Sequence, residues 1–172
     1  TCYEFTITNS VWSAHDMQFG QSNGTSVIND VIQDIGANTT LTTTGTGTLI
    51  LTQANTYTGG TTIEGGTLQL LNSAAAGTGA IQMNGSVLSY GDGIDVANAI
   101  VLNSDTSSLD VATGAAATQT GVISEMGGAR PLEMTGGGTL TLAGANTYTG
   151  ATTVSAGTLS LTGSLTSDIT VA

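Results

Sequence analysis

Gly45–Leu70 reads GTGTLILTQANTYTGGTTIEGGTLQL, and Gly136–Leu161 reads GGGTLTLAGANTYTGATTVSAGTLSL. The match extends without a gap over residues 31–70 and 122–161, at an offset of 91, with 22 of 40 positions identical. Such self-similarity marks a repeat architecture. A shorter beat lies inside each copy. Gly47-Thr48-Leu49-x-Leu51 returns as Gly66-Thr67-Leu68-x-Leu70, and Gly138-Thr139-Leu140-x-Leu142 returns as Gly157-Thr158-Leu159-x-Leu161, a step of 19 in both cases. A looser echo follows at Gly85-Ser86-Val87-Leu88. Between Leu109 and Leu140 the beat is irregular.

The local pattern selects the kind of solenoid. Thr139-Leu140-Thr141-Leu142 alternates polar and apolar, the period of a strand with one buried face. Leu49, Leu51, Leu68 and Leu70 match Leu140, Leu142, Leu159 and Leu161, and Ile63 matches Val154. Residues between them vary, Ile50 against Thr141 and Gln69 against Ser160. One face is therefore set by packing and the other is free. Ala74–Ala76 is too short for a helix and runs into Gly77-Thr78-Gly79. Repeats built on helices fit badly. The pattern predicts an all-β, right-handed parallel β-helix of roughly 7–8 rungs, a single segment over residues 1–172 with each coil made of two or three short strands.

The composition has a mechanism in that fold. Among 172 residues there are 33 Thr, 25 Gly and 1 Pro, with 12 acidic side chains against 1 basic one, a formal net charge of -11. Stacked coils bring equivalent side chains about 4.8 Å apart. Like charges at that spacing repel by about 1 kcal/mol in water and by about 3–4 kcal/mol at an effective dielectric of 20. Stacked hydroxyls instead gain about 0.2–1 kcal/mol. Thr is expected on outward strand positions and charges in turns. Gly is expected at corners needing positive φ. Pro is scarce because interior strands donate hydrogen bonds on both sides.

The same numbers exclude several roles. With Arg130 as the one cation, nucleic acid is not a partner, nor is an anionic membrane surface. No apolar run approaches the ~20 residues needed to cross a bilayer. No secretory signal is visible, and the lone Cys2 cannot form an internal disulfide.

The two segments ending in ANTYTGGTTIEGGTLQL and ANTYTGATTVSAGTLSL resemble the passenger-associated transport repeat of autotransporters, the type V secretion proteins of Gram-negative bacteria. The flanking ISEMGGARPLEMTGGGTL has the same style, while the first 30 residues match only in texture. The resemblance implies a surface-displayed stalk, a passenger fragment whose parent carries an upstream signal peptide and a downstream outer-membrane β-barrel. It implies a repeat associated with passenger export and folding. The expected function is a structural, adhesive or self-associating module that meets host surfaces or other cells. The alternatives are a β-helical polysaccharide lyase or hydrolase, or a host-directed toxin or ligand.

Residues able to carry chemistry are sparse. A protease triad would need His15, the sole His, and Gly24-Thr25-Ser26 only faintly matches a subtilisin-type serine segment. A glycosidase needs two carboxylates on one cleft. The candidates are Asp30 with Asp34, Asp92 with Asp95, and Asp105 with Asp110. Arg130 stands beside Pro131 in an expected turn, and Trp12 is the one Trp. Gly91-Asp92-Gly93-Ile94-Asp95 approaches a calcium-binding nonapeptide but occurs once, and Asn103-x-Asp105 lacks the rest of an EF-hand loop. Tyr57 and Tyr148 share a slot, as do Asn55 and Asn146. The expectation is that the Tyr pack against their rungs and the Asn bond turn backbone. No catalytic residue, metal ligand or cofactor site is assigned. Thr1–Asn9 is expected to form a strand that caps the solenoid. Ser167–Ala172 is expected to form a last, uncapped rung that makes contacts.

Overall fold

A computed structural model describes residues 5–7, 16–34, 36 and 38–172. Among these described residues 19 strands build three walls of a coil, and every ladder between them is parallel. The first wall stacks nine: β1 (Phe5–Ile7), β3 (Thr25–Ile28), β5 (Thr48–Leu51), β7 (Thr67–Leu70), β9 (Val87–Tyr90), β12 (Ser107–Val111), β15 (Leu132–Thr135), β17 (Thr152–Val154) and β19 (Ile169–Val171). Nine stacked strands make eight turns of a β-solenoid, with no helix among the described residues. Another wall stacks six: β2 (Asp16–Gln21), β4 (Thr40–Gly45), β6 (Thr61–Ile63), β8 (Ile81–Met83), β11 (Ile100–Leu102) and β14 (Ile123–Glu125). The wall between them is irregular at first and becomes regular in β10 (Asp95–Val96), β13 (Ala116–Gln119), β16 (Thr139–Leu142) and β18 (Thr158–Leu161).

The leucines stack as the 19-residue beat requires. Leu49 pairs with Leu68, Leu68 with Leu88, and Leu88 with Leu109. Strands β5, β7 and β16 alternate outward Thr or its replacement with buried Leu. Leu49, Leu51, Leu68, Leu70, Leu140 and Leu142 are all buried. Leu159 is only partly buried and Leu161 is 43% exposed, because β18 is stacked on one side only, by β16. Burying a Leu of this kind contributes about 1.5–3 kcal/mol. Ala74–Ala76 forms a turn, not a helix.

The two copies do not occupy the same walls. In the first, the GTLxL strands β5 and β7 lie in the nine-stranded wall and Thr61–Ile63 in the six-stranded wall. In the second, the GTLxL strands β16 and β18 lie in the four-stranded wall and Thr152–Val154 in the nine-stranded wall. The register explains the offset of 91. From Leu49, three coils of 19, 20 and 21 residues reach Leu109. The chain then crosses to Ala117 on the next wall, whose partner Leu140 is one coil further on. The second copy is thus turned by one wall about the axis. This crossing, with the 25-residue coil from Leu109 to Met134, is why the beat lapses between Leu109 and Leu140.

Corners are tight. Gly66 has φ +64, and a Cβ there would sit 2.3 Å from the Gly47 carbonyl oxygen. Its counterpart Gly157 has φ +76 and the Gly138 oxygen at 2.4 Å. Both demands, a left-handed backbone and no side chain, are met only by glycine.

Candidate functional site

The shared ANTYTG segment follows from an alternation of burial. Asn55, Tyr57, Asn146 and Tyr148 point inward, while Thr56, Thr58, Thr147 and Thr149 are exposed. Asn55 Oδ1 accepts the Ile32 amide (2.8 Å) and its Nδ2 donates to the Ala75 carbonyl (2.6 Å), so one side chain ties the coil before to the coil after. Asn146 Oδ1 accepts the Ile123 amide in the same way (2.8 Å). Tyr57 is fully buried with its hydroxyl on Thr61 (2.6 Å), and Tyr148 repeats this with Thr152 (2.7 Å). Burial pushes both phenols above their ordinary titration range, as desolvation disfavours the charged form. These four residues are structural, as their sequence context leads one to expect.

A carboxylate completes the cassette. Asp34 accepts the Thr39 amide (2.7 Å), the Thr58 amide (3.1 Å) and the Thr58 hydroxyl (2.7 Å). At the same place in the second copy, Glu125 accepts the Arg130 amide (2.7 Å), the Thr149 hydroxyl (2.6 Å) and the Gly150 amide (3.4 Å). The Thr58 hydroxyl, then the Thr39 amide, hold Asp34 below its usual range. For Glu125, desolvation pushes upward, but the hydrogen bonds from Thr149, Arg130 and Gly150 outweigh it and bring the carboxyl to about 2. Asp34 and Glu125 stand at matching positions of the repeat, a signal the sequence offers but which the pairing of Asp34 with Asp30 obscures.

The remaining acids correct one expectation. Charges do not keep to turns: Asp16, Asp95, Asp110, Glu125 and Glu133 lie within strands. Repulsion forbids stacked pairs, not single charges. Asp110 lies between Ser89 and Thr135 in the ladder and accepts both hydroxyls, at 3.0 and 3.1 Å. Asp16 accepts Thr40 (2.7 Å), Asp95 accepts Thr120 (2.8 Å), and Glu133 accepts Ser155. Each bond reaches one coil along, so the Thr and Ser that flank the acids serve as their donors.

Two of the three proposed carboxylate pairs divide between different hydrogen-bond partners. Asp34 caps Thr39 and Thr58, and Asp30 lies in the turn after β3. Asp92 accepts the Ala116 amide while Asp95 accepts Thr120. Asp105 forms an ion pair with Arg130 Nη1 (2.7 Å), far in function from Asp110 and its ladder. Arg130 also donates Nε to the Met126 carbonyl (3.1 Å), stitching the turn that Pro131 ends. Among the described residues no group of three His, Cys, Asp or Glu is placed to hold a metal ion. Ser26 points inward and is 6% exposed. His15, Trp12 and Cys2 lie outside the described residues, as does most of Thr1–Asn9; of that segment Phe5–Ile7 forms β1, paired with β3. Ile169–Val171 forms the expected last strand.

One polar cluster carries no sequence signal. The buried Tyr90 hydroxyl donates to Gln119 Oε1 (2.9 Å), and Gln119 Nε2 donates to the Asn98 carbonyl (2.8 Å). Gln119 holds a position that Leu142 takes on the next coil. The outer surface bears shallow grooves. One, of about 330 Å³, is lined by Asp105, Thr106, Ser107, Pro131, Leu132, Glu133 and Thr153.

The model of the passenger-associated-transport-repeat matches residues 41–70 and 132–161. The chain is also 37% identical over 149 residues to the adhesin BmaC autotransporter of Brucella suis biovar 1 (strain 1330). That alignment covers 85% of this chain and 4% of the relative, so the chain spans a small part of the protein it matches. No solved structure matches. Two transport repeats, a homologous autotransporter and an eight-turn β-solenoid agree: the chain is a segment of an autotransporter passenger, a surface-exposed protein of a Gram-negative bacterium.

Proposed function

We propose that this segment is a stiff adhesive stalk whose two transport repeats also seed folding of the passenger during export. The observation that carries the second part is the turn by one wall. The two copies present their outer faces on different sides of the coil, so a partner reading one side would meet the repeat once. What the copies share is internal: the Asn55 and Asn146 clamps, the buried Tyr57 and Tyr148, the stacked leucines and the corner glycines. Those groups join neighbouring coils, and in a solenoid each formed coil templates the next.

Adhesion is supported by the relative's description as an adhesin and by long walls of outward Thr. The partner is a host surface or another cell. The net charge of -11 opposes self-association until salt or a divalent ion screens it. The chain acts by contact, not by turnover. The test is binding of the fluorescently labelled chain to cultured cells at low and high salt. Saturable binding above that of the heat-unfolded chain is expected; equal binding by the unfolded chain refutes adhesion. For export, Tyr57→Ala with Tyr148→Ala in the parent passenger is expected to lower surface display. Unchanged display refutes the seeding role.

A further inference from the structure

We infer that the buried side chains of Tyr90, Gln119 and Asn98 form a register lock for the four-stranded wall, on which the GTLxL strands of the second transport repeat are built. The inference stands apart from the adhesive reading. The apolar pattern leaves that register open. In β16, Thr139-Leu140-Thr141-Leu142 repeats itself after two residues, and β18 reads Thr158-Leu159-Ser160-Leu161. A slip of two residues keeps every leucine on the inner face. The strand beneath gives little guidance. The inward residues of β13 are Ala117 and Gln119, 4% and 0% exposed. Two residue pairs join β13 to β10, Asp95 with Thr118 and Val96 with Gln119. A small side chain and a polar one contribute little apolar burial to fix the seat.

Polar atoms supply what the leucines lack. The Tyr90 hydroxyl reaches from the nine-stranded wall to Gln119 Oε1 on the following coil (2.9 Å). Gln119 Nε2 donates to the carbonyls of Asn98 (2.8 Å) and Gly121 (3.2 Å). Asn98 Nδ2 in turn donates to the carbonyls of Gly77 (3.0 Å) and Gly79 (2.7 Å), one coil back. The bonds thus run through three successive coils. Gln119 takes a column otherwise held by Val96, Leu142 and Leu161. A leucine there would bury more apolar surface, so the wall does not need the glutamine for stability. A slip of two residues carries Gln119 about 6.6 Å along the strand, out of reach of both Tyr90 and the Asn98 carbonyl. A buried amide without partners is penalised, so the slipped seats are excluded and the observed one is kept. Fixing register is the best-attested use of a buried polar group.

The test separates register from stability. Tyr90→Phe with Gln119→Leu replaces the bonded pair by apolar groups of similar size. Paired cysteines in a Cys2→Ser background report the seat of β13 on β10. Asp95→Cys with Thr118→Cys reads the observed register, and Asp95→Cys with Ala116→Cys or with Thr120→Cys reads a slip of two. Register partners stand about 4.8 Å apart, within the span of a disulfide, whereas diagonal positions lie about 7–8 Å apart. With Tyr90 and Gln119 in place, the 95–118 pair is expected to bridge and the diagonal pairs to stay reduced. With both replaced, the diagonal yield is expected to rise about tenfold, the scale on which an unpartnered buried amide is penalised, while the urea midpoint holds or rises. Tyr90→Phe alone keeps the Gln119 bonds to the two carbonyls and is expected to give an intermediate ratio. A merely structural network would lower the midpoint and leave the bridge ratio as it was. A double variant that still bridges only 95 to 118, whatever its midpoint, therefore overturns the inference. Should the double variant not fold, the ratio in Tyr90→Phe decides: a raised diagonal yield supports the lock, and an unchanged one overturns it.

Discussion

Substituting Gly66 by Ala tests how closely the coils stack. The backbone there is left-handed, φ +64, and the new Cβ would lie 2.3 Å from the Gly47 carbonyl oxygen and 3.2 Å from that of Gly45. The conformational penalty is about 1–2 kcal/mol, offset by about 0.4–1 kcal/mol from a less flexible unfolded chain. The close approach adds more. Gly47 O accepts the Thr67 amide at 2.9 Å, and moving it away forfeits a partly buried bond at about 1–3 kcal/mol. The expected loss is about 2–4 kcal/mol. Gly93→Ala is the internal control: its φ is +71, but nothing lies within 4 Å of the added carbon. It carries the backbone penalty alone, about 0–1.6 kcal/mol after the offset. Urea unfolding of both variants, followed by circular dichroism, gives the difference. Equal losses for Gly66→Ala and Gly93→Ala would refute the reasoning, since the coil-to-coil contact would then contribute nothing.

Tyr57→Phe removes a hydroxyl hydrogen bond inside the core and is expected to cost about 1 kcal/mol, whereas Tyr57→Ala costs about 3–5 kcal/mol; thermal melts separate the two. Glu125 contributes to stability at neutral pH because its folded-state carboxyl titrates at about 2, below the ordinary 4.5. That contribution is whole above pH 4.5 and is lost as pH falls towards 2, since the unfolded chain binds the proton first. Carbon-detected NMR titration of Glu125 in the wild-type chain and in Thr149→Val reads this directly, with the midpoint rising in the variant. Arg130→Ala breaks an ion pair whose Asp105 side chain is 65% exposed, so unfolding free energy is expected to fall by less than about 1 kcal/mol.

Much of this architecture is legible in the residues. The alternation around Leu140 and the 19-residue echo predict parallel stacked strands, and Leu49 on Leu68 on Leu88 is what the ladders contain. Asn55 and Tyr57 are readable because a repeated slot with a fixed residue points to packing. The turn by one wall is not readable, since the offset of 91 reports chain length and not angle about the axis; only the strand partners of Leu140 reveal it. The role of Glu125 is half legible: its match with Asp34 is in the sequence, but the amides it caps are set by how the coils pack. The groove at Asp105 and Glu133 escapes a reading along the chain because its residues come from three coils, and the nearby pair Asp105 and Asp110 diverges. Acids sit within strands, against the expectation from composition, for a simple reason. Repulsion acts between neighbours on adjacent coils, and here each neighbour is a hydroxyl or an apolar group.

Cross-linking of paired cysteines in a Cys2→Ser background tests the turned stack most directly. Thr118 and Thr141 are register partners on the four-stranded wall, at the roughly 4.8 Å separation of adjacent strands, within the span a disulfide bridges. Thr118→Cys with Thr141→Cys is expected to oxidise readily in the folded chain, while Asp110→Cys with Thr141→Cys is expected to stay reduced. Efficient bridging of 110 to 141, with none between 118 and 141, would place the second repeat on the same wall as the first and contradict the account.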